Sequence, residues 1–197
     1  MKIQDHLLTR PAEQIPWTGS AREIVPTSTI IHYTAGGTAA GAVETFQNGS
    51  FVAHIIIDRD GTIIQMLPFN RRGVHAGASE WTMSDGKKVQ WFNNFSVGIE
   101  LVNWGYLTER SPGVYASWAG TIVREEPFVG RHQNKHVPYM YWQPYTCKQL
   151  WACYRVVRLL TRHYKMNLIL GHDEIAPMRK QDPGPAFPWA IFGTRKI

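Results

Sequence analysis

The chain reads as a single α/β domain, a central mixed β-sheet flanked by α-helices. Three observations lead there. A β-branched and aromatic run at Ser28–Tyr33 reads as a buried strand, and the alternating Ser96–Val102 reads as another strand. Two apolar runs, His54–Asp58 and Thr62–Met66, flank Arg59-Asp60-Gly61, and Asp-Gly between such runs marks a β-hairpin. Tyr145–Lys165 places apolar residues at helical spacing with basic residues between them. Strands interleaved with helices, one hairpin forcing an antiparallel pair, give one mixed sheet with helices packed on it.

Each element has its own signal. Residues 1–26 carry Pro11, Pro16 and Pro26 without a period and read as an irregular N-terminal arm, with Trp17 as its anchor. The domain proper is expected over residues 27–197. Its first strand stops at Ala35-Gly36-Gly37, leaving His32 near the strand end. Thr38 can cap a short helix, Ala39–Asn48, closed by Gly49. In Ser96–Val102, Val97, Ile99 and Leu101 share one face, while Gly98, Glu100 and Val102 share the other, so a glutamate sits midway along a strand. Residues 103–144 are rich in Gly, Pro and aromatics without a period, and read as a long insertion covering part of the surface. In the 145–165 helix the apolar set is Leu150, Cys153, Tyr154, Val157, Leu160 and Tyr164. Asn167–Gly171 then reads as a short strand leading into His172.

At 197 residues the chain can bury a core without disulfide support. Cys147 and Cys153 fall on one helix about 240° apart, so they do not bridge and read as packed, reduced thiols. A net charge of +6 favours an anionic partner, be it nucleic acid, an acidic membrane or a cell-wall polymer. The basic residues are scattered and no nucleic-acid motif accompanies them, so nucleic acid is not expected. No apolar run reaches the ~18 residues of a membrane span, and the first residues lack the apolar core of a signal peptide. The expectation is a protein cytoplasmic as synthesised, with export left to a holin or secretion machinery. The sequence carries no signal for oligomeric state.

Three residues end or follow apolar runs: His32, His172 and Asp182. Two histidines and a carboxylate form a ligand set for catalytic zinc with a fourth position open. Taken singly, each also has an ordinary structural role, the histidines as hydrogen-bonded residues and Asp182, before Pro183-Gly184, as a turn former. Lys180 lies two residues before Asp182, and an extended stretch ahead of Pro183 would point both the same way. Glu100, facing inward from a buried strand, needs a partner or a function.

The strings IIHYTAG (30–36), AHIIIDRDGTIIQM (53–66), VHAGASEW (74–81), SVGIELVN (96–103) and GHDEIAPMRKQDPGPAFPW (171–189) resemble the type 2 N-acetylmuramoyl-L-alanine amidases. That family includes AmpD-like enzymes and is related to phage amidases and peptidoglycan-recognition proteins. The resemblance implies zinc-dependent hydrolysis of the amide between the lactyl group of N-acetylmuramic acid and L-alanine, in peptidoglycan or muropeptides. Carried over position by position, it makes His32, His172 and Asp182 ligands of one Zn2+, Glu100 the catalytic carboxylate that shuttles a proton, and Lys180 the cation near the scissile carbonyl. His75 matches a family string and is expected as a substrate-groove residue, while His54 is expected to be a buried, hydrogen-bonded histidine. The alternative is a non-catalytic peptidoglycan-recognition module on the same fold.

Overall fold

The structure is a computed structural model describing residues 1–166 and 168–192. In chain order, β1 (Ile3–Gln4) and β2 (Leu7–Leu8) form a small hairpin, followed by β3 (Glu13–Gln14) and β4 (Ser28–Tyr33). Helix α1 (Ala39–Asn48), β5 (Ile55–Ile57) and β6 (Ile63–Gln65) come next, then a second hairpin of β7 (Glu80–Thr82) and β8 (Lys88–Gln90). β9 (Ser96–Leu101) precedes five short strands: β10 (Tyr106–Ser111), β11 (Val114–Ala116), β12 (Ile122–Val123), β13 (Phe128–Val129) and β14 (Tyr141–Trp142). The chain continues through α2 (Cys147–Tyr164), β15 (Leu168–Gly171) and the short α3 (His172–Ile175). Asn167, expected to begin the last strand, lies outside the described residues.

The central sheet has the order β15-β4-β9-β5-β6-β3. It is mixed because β5 and β6 are antiparallel, while every other neighbouring pair is parallel. Gly61 supplies the left-handed backbone of the β5–β6 turn at φ +90°. The alternation in β9 sorts its two faces as expected. Val97, Ile99 and Leu101 pack with Ala152, Cys153, Val156, Val157 and Leu160 of α2. Val102 joins Ala39, Ala42 and Phe46 of α1 on the opposite side. A sheet covered on both faces explains why its strands read as near-continuous apolar runs.

Two regions hold more order than their sequences signal. Within residues 1–26, β3 adds an edge strand to the central sheet beside β6, and Trp17 ties the segment down by donating Nε1–H to the Phe46 carbonyl at 2.8 Å. Residues 103–144 form a five-stranded antiparallel sheet of order β12-β11-β10-β14-β13. Its strands are two to six residues long and its pairing shifts register near Ser111, so no period-2 stretch is long enough to be read. The two cysteines do not pair. Cys153 is buried as expected, but Cys147, at the start of α2, is exposed rather than packed.

Helix α2 begins with a capping box. Thr146 Oγ1 accepts from Gln149 N at 3.1 Å while Gln149 Oε1 accepts from Thr146 N at 3.3 Å. The same two side chains tie the helix to the sheet: Thr146 Oγ1 donates to the Arg59 carbonyl, and Gln149 Nε2 to those of Val102 and Ile57. Thr146→Ala is expected to cost about 1–2 kcal/mol of stability in urea denaturation.

Candidate metal centre and active site

β4 is the axis of the site. It pairs in parallel with β9 on one side, aligning His32 with Glu100, and with β15 on the other, aligning Ile31 with Gly171, the residue before His172. Parallel pairing sends all three strand ends to the same edge of the sheet, where ligands bind in open α/β folds. The loop after α3 returns there, Asp182 O accepting from Asp173 N at 2.7 Å.

His32 Nδ1, His172 Nδ1 and Asp182 Oδ2 converge, with separations of 2.9 Å between the histidines, 2.9 Å from His32 to Asp182 and 3.0 Å from His172 to Asp182. All three residues are buried. Burial, with His172 beside it, lowers the His32 pKa to about 4, so its ring is neutral. Burial pushes the Asp182 carboxyl up, but the facing His172 and His32 outweigh it and hold the group well below the ordinary carboxylate range. The set is therefore a neutral imidazole at His32, a carboxylate at Asp182 and the second imidazole of His172.

This donor set fits a divalent cation. His172 Nε2 faces the Ala76 carbonyl at 3.0 Å and must donate to it, so Nδ1 is the nitrogen left to ligate an ion. Nδ1 lies 3.0 Å from Asp182 Oδ2, so a lone pair there and the carboxylate oxygen would share a positive centre between them. The mutual spacing is close to the about 3.3 Å separating ligands that stand about 2.0–2.1 Å from a tetrahedral zinc.

Glu100 and Lys180 border the same groove as the triad, an open space of about 1340 Å3. Glu100 Oε2 is sealed from solvent and has no hydrogen-bond partner among the described residues. Burial, then the negative charge of Asp182, raises the Glu100 pKa well above its usual value, with Lys180 pulling the other way. A buried carboxyl with an open oxygen and a raised pKa is suited to proton transfer. Lys180 and Asp182, two apart in an irregular loop, both line the groove.

The remaining expectations divide. His54 is buried and satisfied, Nδ1 accepting from Gly98 N at 3.1 Å and Nε2 donating to the Arg71 carbonyl at 2.7 Å. His75 borders the groove, but its ring nitrogens face protein: Nδ1 lies 3.0 Å from His32 Nε2, and Nε2 lies 3.3 Å from Ser96 Oγ. Sequence reasoning missed Tyr106 in the aromatic wall that residues 103–144 contribute to the groove beside Trp104 and Trp118. Trp118 is 59% exposed yet fixed, its Nε1–H donating to the Ala35 carbonyl at 2.9 Å. It also missed His132, whose buried ring meets Asp173 at 3.1 Å and the Gln181 carbonyl at 3.0 Å, so the inserted sheet clamps the loop carrying Asp182. Nothing in the sequence around His132 separates it from an ordinary loop histidine.

Fold and site together define a class, a mixed α/β domain whose parallel strand ends hold a His-His-Asp metal-ligand set in an open groove. The chain belongs to the N-acetylmuramoyl-L-alanine amidase family, whose profile matches residues 22–185. The 1,6-anhydro-N-acetylmuramyl-L-alanine amidase AmpD of Escherichia coli (strain K12) is 33% identical over 142 residues, covering 71% of this chain and 55% of that protein. AmpD of Enterobacter cloacae is 31% identical over 140 residues, 71% of this chain and 54% of that one. The chain thus spans about half the length of the curated relatives it matches. A crystal structure of an AmpD selenomethionine derivative superposes with a TM-score of 0.61 at 25% identity, covering 100% of both chains. AmiD from E. coli, in complex with anhydro-N-acetylmuramic acid-L-Ala-D-γ-Glu-L-Lys, shares the fold at a TM-score of 0.64 and 24% identity, over 90% of this chain and 60% of that one.

Added zinc should raise the thermal midpoint of the metal-free protein, by an amount equivalent to about 2.7 kcal/mol when free zinc is 100-fold above its Kd. His172→Ala should abolish this response. An equal zinc-dependent rise in that variant, read by calorimetry, would contradict the ligand assignment.

Proposed function

We propose that this chain hydrolyses the amide between the lactyl group of N-acetylmuramic acid and L-alanine in peptidoglycan fragments, using one zinc ion held by His32, His172 and Asp182. The observation that carries this reading is the His-His-Asp convergence beside Glu100, in a chain that belongs to the amidase family. The groove exceeds the roughly 300–1,000 Å3 of ordinary small-molecule pockets and suits an extended substrate of sugar and peptide. The ligand in the AmiD complex carries this bond, and a soluble muropeptide of that kind is the proposed substrate.

Zinc, when bound, supplies Lewis acidity that polarises a carbonyl and makes water nucleophilic near neutral pH. The protein's own groups supply the rest. Glu100 takes a proton from the attacking water and returns it to the departing alanine nitrogen, so the amine leaves neutral and the carboxylate is regenerated. Lys180 faces the negative charge that develops on the carbonyl oxygen and stabilises it more in the transition state than in the substrate. Two of the ligands need no protonation change to accept the ion, because His32 is already neutral at physiological pH and Asp182 already ionised. The aromatic wall of Trp104 and Trp118 offers flat apolar faces to the sugar end of the substrate.

Purified protein with zinc is expected to release free stem peptide from a muropeptide, detected by mass spectrometry, and chelation should stop it. Glu100→Gln should lower kcat by about 10²–10⁴ and Lys180→Ala by about 10²–10³, both with zinc content unchanged. Peptide release that survives both substitutions would overturn the reading, as would failure of the zinc-loaded wild type to release any.

The pH profile gives an independent check. Glu100 acts as a base only when ionised, and burial raises its pKa, so activity should fall with acidification at a pH above the about 4.3 of a free glutamate. An acid limb at or below that value would argue against Glu100 as the base.

A further inference from the structure

Both histidine ligands must present an unprotonated Nδ1 to the ion, and the surroundings of residues 75–76 determine whether they do. We propose that the dipeptide His75–Ala76 sets the tautomer of both, His75 through its side chain and Ala76 through its carbonyl, so that the site is prepared for zinc before zinc arrives. This deepens the metal-site reading above and rests on it.

The proton positions follow from one fixed point. Ser96 Oγ lies 2.6 Å from the Phe92 carbonyl and 3.3 Å from His75 Nε2. A hydroxyl has one proton and a carbonyl can only accept, so the shorter contact claims the proton and Ser96 Oγ is an acceptor towards His75. His75 Nε2 therefore carries its ring's hydrogen, and His75 Nδ1 is a lone pair. That lone pair faces His32 Nε2 at 3.0 Å, which must then be the N–H of His32. The neutral His32 ring is left with a bare Nδ1, the atom that meets His172 and Asp182. If every proton moved one place along this chain, His32 Nδ1–H would point into the site and could not ligate. The Phe92 carbonyl opposes that state.

The second ligand is set from the next residue. The Ala76 carbonyl accepts from His172 Nε2 at 3.0 Å, which holds the hydrogen of a neutral ring on Nε2 and turns Nδ1 to the ion. The dipeptide itself is held by Asn93, whose Oδ1 accepts from His75 N at 3.0 Å and Ala76 N at 2.7 Å. The His75 ring lies against Gly98, where an added Cβ would come within 2.6 Å of its Cγ, and meets the ring of His54 edge-on at 5.8 Å. Ser96, Gly98 and Glu100 alternate along one face of β9, so a single strand face anchors the relay, makes room for the ring and carries the proton-transfer carboxylate. His75 is thus a positioning residue that acts through His32. Partners that orient ligating histidines in this way are commonly worth about 10–100-fold in metal affinity.

The test is zinc affinity by chelator competition, with histidine ¹⁵N spectra of the zinc-free protein. The wild type should show His32 and His75 both protonated on Nε2. His75→Leu should bind zinc about 10–100-fold more weakly, and His75→Asn, which keeps an acceptor where Nδ1 stood, should recover most of the loss. Ser96→Ala leaves both rings in place and should give a mixture of His32 tautomers, with a smaller loss; it keeps the proposal testable if His75→Leu does not fold. Tight zinc binding by His75→Leu, or a wild-type His32 protonated on Nδ1, would overturn the relay while leaving the metal site intact. No zinc binding by the wild type would overturn the metal-site reading, and the relay with it.

Discussion

The parallel pairing of β4 with a partner on each side is the constraint on which the site depends. β4 aligns His32 with Glu100 of β9, and β15 ends one residue before His172. A slip of one residue in β9 would turn Glu100 into the α2 core and bring Ile99 or Leu101 to the groove, burying a carboxylate among apolar side chains. Apolar faces on both sides of the sheet oppose that slip, since Val97, Ile99 and Leu101 are fully buried against α2. Hydrophobic packing thus fixes the registry of the chemistry.

Polar groups gathered at that edge are tolerable because they complement one another. Asp182 is ionised in a buried place that alone would neutralise it, and the facing histidines offset the cost. Glu100 Oε2 has no hydrogen-bond partner among the described residues, and burial with the nearby charge of Asp182 raises its pKa. One pocket therefore holds two carboxyl groups with opposite tendencies, the separation that proton-transfer sites exploit. The net positive charge contributes little inside the groove. Three arginines of α2 (Arg155, Arg158 and Arg162) lie on the helix that covers the opposite face of the sheet, and the groove's own cations are Arg179 and Lys180.

The five-stranded sheet formed by residues 103–144 meets the loops of the central sheet at two points beside the groove. His132 holds the Asp182 loop through Asp173 and the Gln181 carbonyl, and Trp118 fixes the turn after β4 through the Ala35 carbonyl. Arg59 in the β5–β6 turn meets Glu125 of the same segment. These ties make the insertion a wall of the site rather than a detached cover, and place loop-borne side chains on a rigid support.

The sequence by itself determined the local structure. Thr38 and Gly49 bound α1, Asp60-Gly61 turns the hairpin, the period of residues 145–165 made α2, and the alternation in Ser96–Val102 sorted Glu100 from the core. These signals are legible because each depends on residues within a turn or two of one another. His32, His172, Asp182, Glu100 and Lys180 were nameable from their types and their resemblance to a family, and the structure brings all five to one groove. Only the tertiary structure decided which atoms face which. That Nδ1 of both histidines points inward, that His75 turns its ring nitrogens to His32 and Ser96, and that His132 and Trp118 reach across from the insertion depend on contacts between residues 21 to 150 positions apart. Such contacts leave no periodic trace in sequence, because the partners are set by strand order and packing rather than by their neighbours along the chain.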